Sequence, residues 1–485
     1  MKRSVLYVSV CCMVLMWIGC AKKVDDGKIP ITTTSEEAKK EFLKGRDLAE
    51  NLSLTNSLEH FDKAIALDPN FAIAHLNRAI ASATAKDFFA HLNMAVATAD
   101  KASEGERLLI LANEAVANAN TEKQKEYLEK LVTLFPKDER AHFNLGGYYY
   151  GQQEYNKAIT HYRKATELAP NYSPVYNILG YTYRQVENYP DAEKAFKKYT
   201  ELIPNDPNPY DSYAELLLKM GKFDESITYY QKALALDPNF PSARTGIAAN
   251  YMYKGMPDEG TAELNKLNTM ARNDGERRQA IFAQAVLYAD NGKLDLALQE
   301  AEKEFAVAEK IGDVANMSAD LAFKGNILAA MEKYDDARTA FEKAVQLIEG
   351  SDLSPDIKEN TRLFHHFNLV SIAIGKKEMK MAKAEAEEFR KGAEASKNPN
   401  QIRLSHELAG KIALAEKNYD VAIAELDQAN NQNPYNLYRM GWAYQEKGDK
   451  VKAKEFYTKA AHFNGLPGLN YAFIRTKAER MAAAL

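Results

Sequence analysis

From Glu139 to Phe240 the apolar, small and polar positions return in step every 34 residues. Pro136, Pro170, Pro204 and Pro238 mark the period. Gly146, Gly180, Ala214 and Ala248 keep register with them, as do Tyr149, Tyr183, Leu217 and Tyr251. Tyr155, Tyr189 and Phe223 follow, then Ala158, Ala192 and Ser226, then Tyr162, Phe196 and Tyr230. Within one copy, His142, Leu145, Gly146 and Tyr149 share one helical face, and Ala158, Tyr162 and Ala165 share another. Small residues at 146, 158 and 165 let two antiparallel helices approach closely, with Tyr149 and Tyr162 filling the space beside them. Pro170 ends the second helix, because it lacks a donor and its ring clashes with the preceding turn. Ser173 before Pro174 and Asp206 before Pro207 read as N-caps followed by proline at the first helical position. One such hairpin cannot bury its apolar face alone, so copies must stack into an all-α solenoid.

Weaker copies flank this stretch. Gly45, Leu48, Phe61, Ala64 and Pro69 keep the spacing upstream, followed by two degenerate units over Ala72–Ser103 and Glu104–Asp138. Downstream, the polar run Asn268–Glu276 with its Asn-Asp-Gly turn signal divides an array over 36–270 from a less regular one over 271–485. In the latter, Ala285, Tyr288 and Gly292, then Gly325, Tyr334 and Phe341, then Gly410, Tyr419 and Leu426, then Gly441, Tyr444 and Tyr457 repeat the pattern. Leu363–Lys391 matches least. Leu466–Leu485 reads as a closing helix, with Leu469, Ala472 and Phe473 toward the last unit and Arg475, Lys477 and Arg480 outward.

The pattern resembles the tetratricopeptide repeat over about 430 residues. That resemblance implies a right-handed superhelical solenoid of antiparallel helix pairs whose concave groove binds partner proteins or peptides. It also implies which stripe lines the groove: Phe143, Gly147 and Tyr150 in one unit, Asn177, Tyr181 and Arg184 in the next, then Asp211, Glu215 and Leu218, then Thr245, Ala249 and Met252. Aromatic, amide and arginine side chains there suit an extended peptide or a helix. The family's carboxylate clamp needs lysine along this stripe, and Phe143, Gly147, Asn177 and Tyr181 stand in those places.

The N-terminus carries a different signal. Lys2 and Arg3 precede an apolar run, Val5–Ile18, too short for a bilayer span. It ends in Trp17-Ile18-Gly19-Cys20-Ala21, which resembles a bacterial lipoprotein signal. The resemblance implies a signal peptide over 1–19, lipidation of Cys20 and a flexible tether over 20–35. Ala21 after the cysteine favours the outer membrane, with either face possible. Cys11 and Cys12 would leave with the leader, so Cys20 stands alone and no intramolecular disulfide or cysteine metal cluster forms.

Composition narrows the rest. With 46% hydrophobic and 27% charged residues the chain is ordinary for a folded protein, and its net charge of −4 argues against a general nucleic-acid surface. No phosphate-binding loop, H-E-x-x-H, G-x-S-x-G or calcium loop is present. His365 and His366 point about 100° apart on a helix and make poor joint ligands. His75 and His142 sit on core-facing columns. The expectation is a non-enzymatic, membrane-anchored scaffold of the bacterial envelope with no cofactor, no metal and no small-molecule substrate. A surface glycan-binding lipoprotein for nutrient uptake is the alternative, and an enzyme hidden within Asn268–Gln401 the second.

Overall fold

The computed structural model describes residues 27–485; the predicted signal peptide, Cys20 and the first part of the tether lie outside the described residues. Twenty-four helices, α1 (Glu36–Glu50) to α24 (Lys450–Ala461), form twelve hairpins in chain order, each made of an odd-numbered and an even-numbered helix. Two short helices, α25 (Leu469–Ala472) and α26 (Arg475–Ala484), follow, and no strand occurs among the described residues. The architecture is an all-α solenoid of helix pairs. Residues 268–401 are helical like the rest.

The joint inside each hairpin explains the small-residue column. A Cβ on Gly146 would lie 2.6 Å from the Tyr162 ring, and one on Gly180 2.7 Å from Phe196. The same contact pairs Gly45 with Phe61, Gly325 with Phe341 and Gly441 with Tyr457, always with a ring sixteen residues on. Tyr162, Phe196 and Phe61 are fully buried by it. The spacing is constant because the loop inside the hairpin is three residues long in eleven of the twelve. Its middle residue is left-handed each time, from Leu52 (φ 61°) through Gln153 (φ 62°) to Gly448 (φ 84°).

The prolines of the period have a second use beyond ending helices. His75 and His142 each donate Nε2–H to the carbonyl six residues back, on Pro69 and Pro136, at 3.2 Å. Tyr176 and Tyr210 donate their hydroxyls to Pro170 and Pro204 at 3.0 Å, and Arg244 donates to Pro238 at 2.9 Å. Both histidines are buried, as the pattern predicts. The caps differ from expectation by one position. Ser173 is the first residue of α9 (Ser173–Gln185), and its hydroxyl donates to Asn51 rather than capping its own helix. Asp206 accepts from Asn208 N across Pro207, ahead of α11 (Asn208–Lys219).

The array coils until later units touch earlier ones. The loop inside the third hairpin meets the starts of the tenth and eleventh, where Ser354 Oγ lies 2.6 Å from Asn118 Oδ1 and Asn398 Nδ2 donates to Ala119 O. The loop inside the fourth meets the eleventh and twelfth through Arg403 to Gln152 O and Gln153 to Asn430. Lys86 reaches Ile311 O and Asp313, and Lys219 reaches Phe463 O. Packing runs on through the polar link at 271–273, since Leu264 and Leu267 share a core with Ala280, Ala283 and Leu287.

The C-terminal cap departs from its expected placement. Leu469, Ala472 and Phe473 pack on Val286, Ala289 and Ile327 of the eighth and ninth hairpins, while Tyr471, Ile474 and Ala478 face the last unit, which Phe473 also touches. Arg475 is not outward. Its guanidinium forms a buried pair with Asp290, at 2.8 Å and 2.5 Å to the two carboxylate oxygens. Coiling brings Asp290 within reach, which the local pattern could not reveal. Lys477 and Arg480 are exposed as expected.

Candidate functional site

The residues three before and one after each small residue of the column face the inside of the coil. Over the first five hairpins these are Phe42 and Arg46, Leu76 and Ile80, Leu109 and Asn113, Phe143 and Gly147, then Asn177 and Tyr181. All except Gly147 line one hollow of about 650 Å³, within the range of ligand pockets. Leu52 and Ile80 stand on its rim, 46% and 50% exposed. Asn77, Asn113 and Asn144 also line it. Each donates one amide hydrogen to its own helix four residues back, which fixes the side chain and leaves its carbonyl oxygen available.

One wall of the hollow comes from the segment read as a tether. Ile29 N donates to Asp138 at 2.9 Å, Thr32 N to Glu106 at 3.0 Å, and Thr34 N to Asp68 at 3.2 Å. Thr33 Oγ1 adds a 2.6 Å bond to Asp68, and Ser103 Oγ donates to Pro30 O. Residues 28–34 are therefore an extended strap and not a free linker. The second, third and fourth hairpins each supply one carboxylate at their start, Asp68 and Asp138 from the links before them and Glu106 from the first turn of α5 (Glu104–Ala117), and an extended backbone meets them in turn. Five charges follow the strap into the hollow. Lys28 pairs with Glu139. Arg140 bonds Glu139 at 2.6 Å and grips both oxygens of Glu50, at 2.7 and 2.9 Å. Arg46 ends the series, 3.9 Å from Glu50, with its Nε buried and unbonded. Burial, with the neighbouring Arg140 charge, pushes the Arg46 guanidinium below its usual value.

The stripe read from the sequence continues into a different environment. Phe143 packs on the Tyr162 and Tyr172 rings. Tyr150 meets Tyr155 edge-on and accepts from Gln185 at 3.2 Å. Asn177, now buried, donates to Asn208. Tyr181 and Arg184 both bond Glu215, at 2.9 and 2.5 Å. Asp211 is buried beside them, and that burial, reinforced by Glu215, holds its carboxyl well above the usual range. Leu218 is fully buried. Gly147 remains exposed, with only the Tyr162 hydroxyl within 4 Å of a Cβ placed on it. Cys20 lies outside the described residues.

Arg46, Leu76, Ile80, Leu109 and Asn113 were not singled out from the sequence. Extending the stripe upstream from Gly146 through Ala112, Ala79 and Gly45 would have found them; the degenerate second and third units obscured it. His366 bonds Glu385 at 2.6 Å, whereas His365 Nδ1 is buried without a hydrogen-bond partner. Among the described residues no cluster of three or more His, Cys, Asp or Glu side chains could hold a metal ion, and no helix is long and apolar enough to cross a membrane.

Helix hairpins joined by three-residue loops, each seating a ring on a small residue and stacking through the next link, define a helical-repeat solenoid of the kind that serves as a scaffold for protein contacts. Profiles of the tetratricopeptide repeat match residues 139–172, 161–194, 214–240, 321–350 and 435–462. The chain carries tetratricopeptide repeats. Among solved structures it is similar to a tetratricopeptide repeat protein from Parabacteroides merdae ATCC 43184, at 16% identity over 56% of this chain and 94% of that one, TM-score 0.34. It is also similar to the MamA protein, at 20% identity over 34% of this chain and 91% of that one, TM-score 0.29. No curated protein matches the sequence.

Proposed function

We propose that the protein is an exported, lipid-anchored scaffold that docks partner proteins on its inner face at a bacterial envelope membrane. The observation that carries this reading is the inner stripe of the first five hairpins, open, apolar and flanked by three fixed asparagine amides. Amides held in a row meet the backbone of an extended segment, and the apolar positions between them take its side chains. The lipobox-like Cys20 supports the anchor. The strap supports a defined orientation, because it ties the chain just after Cys20 to the rim of the same face.

Gly147 supplies the test. It is exposed on the inner face, and a side chain there meets open space. Gly147→Arg is expected to fold normally and to lose the partner that wild type recovers from detergent-solubilised envelope. Equal recovery by both proteins, or nothing specific from either, would overturn the docking site. Mass spectrometry of the N-terminal peptide checks the anchor, which requires an acylated Cys20.

A further inference from the structure

We infer that the strap, residues 28–34, occupies in cis a site for an extended segment with a cation at one end and apolar side chains at alternate positions. A docked partner's segment of the same chemistry takes its place. The inference rests on the docking reading for that partner alone; the site and its occupancy are tested without one.

The strap is held as a bound peptide is held. Its exposure alternates, with Ile29, Ile31 and Thr33 turned toward the hairpins and Pro30, Thr32 and Thr34 outward, the period of an extended chain. Ile29 sits where Gly105 has no side chain, since a Cβ there would lie 2.7 Å from Ile29 Cγ2. Ile31 packs on the core that holds Phe42 and Phe71. Among the described residues no backbone–backbone hydrogen bond ties residues 29–34 to the hairpins. Side chains of the array make the attachments instead, as a receptor's do.

Charge names what belongs in the site. Asp68, Glu106, Asp138 and Glu139 border the strap, and all four are buried. The first three form no ion pair among the described residues. Each accepts from its own hairpin, through Asn70 N, Ser103 N and Ala141 N, and is completed by a strap N–H, from Thr34, Thr32 and Ile29. Glu139 takes Arg140 from its own helix and Lys28 from the strap. Without the strap this face offers acceptors and an excess of negative charge. Buried acceptors need donors, and donors to a carboxylate make the stronger hydrogen bonds. An extended backbone supplies them at intervals, a lysine or arginine answers Glu139, and aliphatic side chains fill the seats of Ile29 and Ile31. An acidic segment is refused.

The experiment uses the full chain with Cys20→Ser, so that no acyl group is attached, and a fluorescein-labelled peptide of residues 28–35 followed by polarisation. A short tether holds the strap at an effective concentration on the order of 1 mM, so the same segment in trans must bind more tightly than that. Ile29→Ser with Ile31→Ser releases the strap and leaves every hairpin residue unchanged; Thr32→Pro, which removes the N–H that Glu106 accepts, is a second release variant. Both should bind the peptide saturably, and the unreleased chain at least tenfold more weakly. Peptides carrying Lys28→Glu or Thr32→Pro should each lose at least tenfold on the released chains. Absence of saturable binding up to about 1 mM overturns the site. Equal binding by released and unreleased chains overturns the occupancy, and indifference to both peptide changes overturns the recognition by charge and N–H donors. An unreleased chain that runs as a dimer and becomes monomeric on release overturns occupancy in cis, because the strap then comes from a second copy. The titration needs no partner, so it and the pull-down fail separately.

Discussion

The inner stripe has two ends built on the same backbone positions and filled with opposite chemistry. In the first four hairpins it presents Phe42, Leu76, Ile80, Leu109 and Phe143, and a hollow stays open between them. At the fifth hairpin Asn177 and Tyr181 form the last wall of the hollow, and behind them Arg184, Asp211 and Glu215 are mostly buried. Donors there meet acceptors across adjacent helices, Tyr181 and Arg184 on Glu215 and Asn177 on Asn208. Repetition of the fold thus does not decide where the inner face is accessible. Side-chain chemistry does: complementary polar groups draw one end shut, while apolar groups with nothing to cover them leave the other end exposed.

The largest expected effect comes from breaking the closed end. Glu215→Ala strands Arg184, whose side chain is mostly buried, without a counter-charge. Removing one member of a buried pair costs about 3–5 kcal/mol. At the open end Ile80→Ala removes a half-exposed rim side chain and is expected to change stability by no more than about 0.5 kcal/mol. Urea denaturation of the two variants measures the contrast. A large loss for Ile80→Ala would mean that the rim is structural and the two ends are alike.

Gly146→Ala comes next, at about 1–3 kcal/mol of overpacking, because its Cβ would meet the Tyr162 ring rather than a movable chain end. Gly325→Ala, in the irregular part of the array, meets Phe341 at 2.5 Å and should lose a similar amount. Equal losses would show that the hairpin joint is one device throughout. That joint is what the sequence made legible. Its sixteen-residue spacing lies inside a hairpin and survives every change of helix length. The 34-residue period does not survive, because α15 to α21 run to between 16 and 21 residues where α7 to α12 have 12 to 14. Contacts between distant units were not legible for a related reason. Arg475 with Asp290, and the strap with Asp138, are set by how tightly the coil closes, and no local pattern encodes that. Reading the stripe only from Gly146 onward reached one wall of the hollow, at Phe143, Asn177 and Tyr181, and missed the walls that the first three hairpins supply.

Acidity should move the two ends in opposite directions. At the open end His75 and His142 are held below their usual value of 6.5, chiefly by burial. Each donates from Nε2 to a proline carbonyl, so Nδ1 accepts from the partner ring of His91 or His161, at 3.3 and 3.2 Å. A second proton has no place there. Their contribution is present above pH 6.5 and lost as the pH falls. Asp211 at the closed end is held well above its usual 3.8 by burial, so its contribution is full at low pH and lost as the pH rises. Hydrogen exchange at pH 5.5 and 7.5, corrected for intrinsic rates, should show α3 (Ala72–Ile80) and α7 (Glu139–Gly151) loosening in acid and α11 tightening. Parallel shifts in all three would contradict the assignment of these groups.

The smallest effect concerns neighbouring glycines. Gly147 follows Gly146 in the same helix, yet nothing but the Tyr162 hydroxyl, 3.9 Å away, lies near its missing Cβ. A glycine in an open helix interior costs about 0.5–1 kcal/mol relative to alanine, through backbone freedom alone. Gly147→Ala should therefore stabilise the protein by about that amount, opposite in sign to Gly146→Ala one residue away. If the inner face is a docking surface, the same variant should weaken partner capture slightly even as it raises the denaturation midpoint, because the added methyl group sits where the partner's backbone approaches. A gain in stability with unchanged capture would show that the open face extends past Gly147 unused, and would confine docking to the hairpins before it.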